Sequence, residues 1–201
     1  MTNRPMTLSE HVDALFCDSI ESIESARKTL TDEVSEAATV LANALEDNHK
    51  ILVCGNGGSA CDSLHFSGEL LNKFRRIRRP LAAVSLAADV STLTSIANDE
   101  GYDSVFAKQV EALAQPGDIL VVITTSGNSA SILRAVKEAQ ARRIRCIALN
   151  GRDGGALSIA LSGQDIDIVV RQELTARIQE VHGIIIHTFC ELIDNQLFGE
   201  I

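Results

Sequence analysis

The chain has 201 residues, 45% of them apolar and 22% charged, with three prolines and no tryptophan. That length and balance fit one soluble globular domain with ample core for an α/β fold. A formal net charge of −9 excludes a broad nucleic-acid footprint, which needs a basic surface, and leaves any anionic ligand to be held by local geometry.

In chain order, Thr7-Leu8-Ser9-Glu10 fits a capping box. Val12, Leu15, Phe16, Ile20 and Ile23 follow at helical spacing, which predicts a helix. Met1 to Glu10 has no apolar h-region, so no secretory signal is expected. A second helix is predicted from about Thr31 to Leu45, with Val34, Ala38, Leu41 and Leu45 on one stripe. Residues 1–48 thus form an N-terminal helical pair before an α/β core of residues 49–201, in one domain.

From there short apolar runs alternate with helical patterns. The runs are Ile51–Cys54, Leu81–Leu86, Ile119–Ile123, Ile144–Leu149 and Ile166–Val170. Helices are predicted over Ser59–Lys73, Val90–Ala97, Ser104–Ala114, Ser129–Arg142, Ala156–Leu161 and Leu174–Leu197. Five buried-looking strands with helical crossovers indicate a mostly parallel sheet covered on both faces. No stretch approaches eighteen apolar residues, so no membrane span is expected. The five cysteines, 17, 54, 61, 146 and 190, are odd in number and scattered; they read as reduced thiols of a cytoplasmic protein.

Two loops after predicted strands are dense in ligand-binding groups. The first is Asn56-Gly57-Gly58-Ser59, where glycines let the backbone approach an anion at a helix N-terminus. The second, Thr124-Thr125-Ser126-Gly127-Asn128-Ser129, offers four hydroxyls and an amide before the next helix. Either loop alone could merely cap a helix and make a turn. Both after strands of one sheet favour a phosphate pocket, since such sheets bind ligands outside their carboxyl ends. Gly55-x-Gly57-x-x-Ala60 also meets a loose dinucleotide fingerprint, but the acid due about twenty positions on is missing and the basic run Lys73–Arg79 stands there instead. No Walker lysine follows the glycines either.

His65 and Glu69 lie four apart on one helical face, with Cys61 one turn earlier. Such a pair makes a surface ion pair, an acid/base couple or half a metal site. The last helix adds Gln179, Glu180, His182 and His187 to an otherwise apolar pattern; His182 and His187 also read as satisfied core or interface histidines. Gln179 and His187 are eight residues apart, about 12 Å along a helix axis. They reach one ion only at full stretch, so a site near a subunit boundary is expected.

Taken together, Cys54–Ser59, His65-x3-Glu69, Asn98-Asp99, Thr125–Ser129, Gly151-x-Asp153-Gly154-Gly155 and Ala176-Arg177-Ile178-Gln179-Glu180-x-His182 resemble the phosphoheptose isomerase family of sugar-isomerase (SIS) domain proteins. The resemblance covers residues 8 to 198. It implies a flavodoxin-like three-layer α/β/α sandwich, a homotetramer, one zinc ion per site, and interconversion of sedoheptulose 7-phosphate with D-glycero-D-manno-heptose 7-phosphate for lipopolysaccharide-core synthesis. The implied metal ligands are His65, Glu69, Gln179 and His187. The implied substrate contacts are Asn56, Gly57, Gly58, Ser59, Glu69, Asn98, Asp99, Thr124, Thr125, Ser126, Ser129 and Gln179. Moving a carbonyl from C2 to C1 through an enediol suits Glu69 as base and His187 as proton shuttle at the oxygens. Thr124 and Lys73 depart from the family's commoner serine and arginine; the lysine gives up bidentate anion recognition. The run to Arg79 otherwise reads as a solvated helix end, and Gly68, unfavourable inside a helix, suggests a close packing contact.

The chain also resembles a same-fold relative that associates with the replication initiator DnaA, at Ser95–Asp99 and Glu191–Phe198. That relative lacks a carboxylate and an imidazole at the positions of Glu69 and His187, which this chain keeps. A sugar-phosphate sensor would keep both loops but need not keep Glu69.

Overall fold

The computed structural model describes residues 4 and 6–200. Residues 1–3 and 5, on which the expected absence of a signal segment partly rests, lie outside them. The sheet has five parallel strands in the order β2-β1-β3-β4-β5: β1 (Ile51–Gly55), β2 (Ala83–Ser85), β3 (Ile119–Ile123), β4 (Arg145–Gly151) and β5 (Ile166–Val170). This flavodoxin-like order reverses direction between β1 and β3, the switch point where such sheets bind ligands. β1 and β3 are buried at every residue. Ile51 and Val53 pack into one core and Leu52 and Cys54 into the other, so the apolar runs do not alternate with polar residues.

One core lies under α2 (Thr31–Glu46), α3 (Gly58–Leu71) and α8 (Thr175–Phe198); the other lies under α5 (Ala107–Leu113), α6 (Ala130–Ala141) and α7 (Gly155–Ala160). α4 (Val90–Glu100) leans on the second core through half-buried Leu93, Ile96 and Ala97 and has no fully buried residue. A 3-10 turn, Tyr102–Ser104, joins α4 to α5.

α1 (Leu8–Thr29) starts with the full capping box: Thr7 caps the Glu10 amide and the Glu10 carboxylate accepts from the Thr7 backbone. Its apolar stripe lies mostly outside the core. Val12, Leu15, Phe16 and Ile20 are exposed, Phe16 at 67%, and only Ile23 and Ala26 reach the core. Apolar periodicity specifies a face to be covered, not that the same protomer covers it.

The basic run also differs. α3 ends at Leu71, not Lys73, and residues 72–80 are irregular. Instead of being a solvated end, Arg78 is buried, with its side chain 2% exposed and paired with Asp194. Arg75 pairs with Glu191, Arg76 donates to the Asp194 and Gly199 carbonyls, and Arg79 lies over the Phe198 ring. Gly68 has open space around it rather than the expected contact. All five cysteines are free thiols, and burial raises those of Cys54, Cys146 and Cys190.

Candidate active site

The two polar loops meet at the switch point. Asn56, Gly57, Gly58, Ser59, Thr124, Thr125, Ser126, Ser129, Thr175 and Gln179 line one cavity of about 300 Å³. α3 begins there with Gly57 at φ +56°, and α6 begins there after Ser129; neither helix has a side-chain cap. Two N-termini without side-chain caps therefore turn their partial positive charge toward one space, an arrangement that suits a phosphate group. A Cβ at Gly58 would meet the Gln179 side-chain amide, so a side chain there would push Gln179 out of its present place in the cavity.

Around the cavity, other residues hold the lining in place. Asn56 donates to Ser131 Oγ at 3.0 Å and accepts from Tyr102 Oη at 2.8 Å. Neither partner carried a sequence signal, since a serine inside a helix and a lone tyrosine belong to no motif. Asn128 accepts from the Ala156 amide and donates to the Ser126 carbonyl, tying the hydroxyl-rich loop to the turn after β4. The Gly151-x-Asp153-Gly154-Gly155 motif thus buttresses the pocket from behind. Asn98 and Asp99 sit exposed near the end of α4, bonded to each other, and do not line the cavity.

Beyond the cavity, three of the four residues singled out for chemistry converge between α3 and α8. His65 Nε2 lies 3.3 Å from Glu69 Oε1 and 3.4 Å from His187 Nε2. Phe74 stacks on the His187 ring at 5.5 Å between centroids, a contact no sequence pattern announced. Gln179 points instead into the cavity, against Gly58. The four groups therefore do not surround one point within the protomer.

The trio suits a metal by one test and not by another. Ligands about 2.1 Å from a tetrahedral ion sit about 3.4 Å apart, close to both measured separations. Two imidazole nitrogens facing each other at 3.4 Å also need a proton or a cation between them. Yet among the described residues no three His, Cys, Asp or Glu side chains form a complete metal cluster as they stand. One turn before His65, Asp62 has a buried Oδ2 without a hydrogen-bond partner among the described residues; burial raises its carboxyl, partly opposed by His65.

His182 is a core histidine. Wholly buried, its Nε2–H donates to the Asn150 carbonyl at 2.9 Å, and Nδ1 has no partner among the described residues. Burial holds its pKa down at about 4, against the usual 6.5. Between those values the unfolded chain binds a proton that the native chain refuses. This group's contribution to stability is therefore complete above about pH 6.5 and is lost as pH falls toward 4, by up to about 3 kcal/mol. In urea titrations across that window, His182→Gln is expected to lose less stability on acidification than wild type; parallel curves would refute the assignment.

Comparison with known proteins agrees with this architecture. The SIS domain family model matches residues 16–151. A phosphoheptose isomerase of Methylococcus capsulatus is 52% identical over 195 residues, 97% of this chain and all of that one. The solved phosphoheptose isomerase of Neisseria gonorrhoeae superposes with a TM-score of 0.90 at 46% identity, covering 94% of this chain and 100% of that one. That of Francisella tularensis gives 0.92 at 42% identity with the same coverage. With half its residues shared over nearly its full length, and the fold matched to the same extent, the chain belongs to the phosphoheptose isomerase family of SIS-domain proteins.

Proposed function

We propose that the protein is an aldose-ketose isomerase that converts sedoheptulose 7-phosphate to D-glycero-D-manno-heptose 7-phosphate in lipopolysaccharide-core synthesis. The observation that carries this reading is that α3 opens on a two-helix phosphate cavity at its N-terminus and carries His65 and Glu69, with His187 of α8 against them, toward its other end. Gly57, Gly58, Ser59 and the Thr124–Ser129 hydroxyls hold the 7-phosphate. Glu69 removes the C1 proton, and His187 moves protons between the C1 and C2 oxygens, giving an enediol that is reprotonated at C2.

His65, Glu69, Gln179 and His187 are the residues that would hold a zinc ion, with Gln179 turned from Gly58 or supplied by another copy. Such an ion would polarise the substrate carbonyl. Ligation weakens Glu69 as a base, so its catalytic role ranks above a decisive Lewis-acid role. Asn98 and Asp99 reach substrate only if α4 moves or another copy approaches. Incubating purified protein with sedoheptulose 7-phosphate and assaying aldose formation tests the reading; no product at micromolar enzyme refutes it.

Self-association belongs to the same reading. The uncovered α1 stripe adjoins an apolar groove of about 480 Å³ between α1, α2 and α8, lined by Ile23, Leu30, Val34, Val181, Ile185 and Leu192 among others. Copies of the chain cover it in a cytoplasmic homotetramer. Light scattering on a Phe16→Glu, Ile20→Glu variant should show smaller species; an unchanged mass, or a monomeric wild type, would defeat this part alone.

A further inference from the structure

We propose that Arg78 is a positioning residue: its guanidinium, shared between the end of α3 and Asp194 of α8, fixes where Glu69 stands relative to His187. This rests on the isomerase reading above. Arg78 Nη2 donates to the Glu69 carbonyl at 3.0 Å. Its Nη1 serves the Leu70 and Asn72 carbonyls at 2.8 and 3.1 Å, and Nε donates to Asp194 Oδ1 at 2.8 Å.

α3 has no basic residue in its own last turn, so Arg78 supplies from outside both the donors and the positive charge that a helix C-terminus lacks. Asp194 follows His187 by seven residues, two turns, and so lies on nearly the same side of α8. The strut therefore ties the backbone of the proposed base to the helix of the proposed proton shuttle.

Stability alone is a poor account of this pair. Both side chains are 2% exposed, and Asp194 Oδ2 has no hydrogen-bond partner among the described residues. A buried ion pair left partly unsatisfied seldom outperforms apolar packing of the same volume. A geometric role does account for it, because one cation meets several carbonyls at the catalytic end of α3, and a lysine cannot reproduce that fork.

The test compares Asp194→Asn and Arg78→Lys with wild type, using protein whose folded fraction is measured by circular dichroism at the assay temperature. Asp194→Asn keeps the acceptor and the size, and carries the test if Arg78→Lys fails to fold. The expected result is kcat about 10–100-fold lower, as an ångström-scale misplacement produces. KM should hold within about twofold, because the phosphate loops lie at the other end of α3. The isotope effect on kcat with C1-deuterated ketose should be no smaller than in wild type, and larger if wild type is limited by another step. Folded variants with wild-type kcat, or a loss that vanishes when rates are normalised to folded protein, would overturn the proposal. If wild type itself makes no aldose, the isomerase reading fails; a crystal structure of Asp194→Asn then decides the strut. His65 and His187 still 3.4 Å apart, with Glu69 in place, would sink it, and their separation would support it.

Discussion

Glu69→Gln is expected to lower kcat for sedoheptulose 7-phosphate by about 10²–10⁴-fold, the usual worth of a positioned general base. Glutamine keeps the length and shape of the side chain and can still meet His65. It cannot accept a proton from carbon, so the loss falls on chemistry rather than on binding. The phosphate cavity lies at the opposite end of α3, so KM should change little. His187→Ala removes the second group and also the face on which Phe74 stacks, so its effect combines lost proton transfer with lost packing. Single-turnover assays with both variants separate the roles, because a true base leaves no burst of aldose when it is gone. A Glu69→Gln enzyme within tenfold of wild type would place the base elsewhere, with Asp62 the next carboxylate along the helix.

Much of the fold was legible because strands of a covered parallel sheet read as apolar runs, and all five strands occur at such runs, although Ser85 stands in β2 and Asp167 in β5. The edge strand β2 is the least regular. Leu81 donates to the Leu70 carbonyl at the end of α3, so the strand begins only at Ala83. The phosphate loops were legible for a related reason, since glycines and hydroxyls after a strand in this topology have few other uses. Other features had no local signature. Phe16 and Ile20 repeat at helical spacing whether the same chain or another covers them. Arg78 sits in a run of charges that composition assigns to solvent; only the fold brings Asp194 to it across 116 residues. Tyr102 reaches Asn56 through a turn whose geometry follows from Gly101 at φ +90°, a property no motif encodes. Asn98 and Asp99 show the converse, because the resemblance implies contact with substrate and the protomer leaves them on an exposed helix.

Gly127→Ala should be the most damaging small substitution in the pocket wall. Gly127 stands at φ +66°, where a Cβ costs about 1–2 kcal/mol. That Cβ would also fall on the Gly154 carbonyl oxygen, with Asn150 Oδ1 beyond it. The obstacle is backbone and cannot swing aside, because the Asn150 amide donates to the same carbonyl at 2.9 Å. The Gly127 carbonyl in turn accepts from the Leu157 amide at 2.8 Å, so pushing the two loops apart breaks the seam that Asn128 also staples. Overpacking of this kind adds about 1–3 kcal/mol, for a total loss of about 2–5 kcal/mol in unfolding free energy. The chemical cost follows from the same displacement: Thr125, Ser126 and Ser129 move with the loop, so KM for the ketose phosphate should rise in whatever protein remains folded. That signature is opposite to Glu69→Gln, which spares KM and strikes kcat. Gly68→Ala supplies the control, since that helical glycine faces open space and alanine there should add up to about 1 kcal/mol through helix propensity. Denaturant titration of the two variants beside wild type reads both signs at once. A Gly127→Ala protein as stable as wild type would mean that the Thr124–Ser129 loop is not braced by the turn after β4, and that the phosphate wall owes its shape to something else.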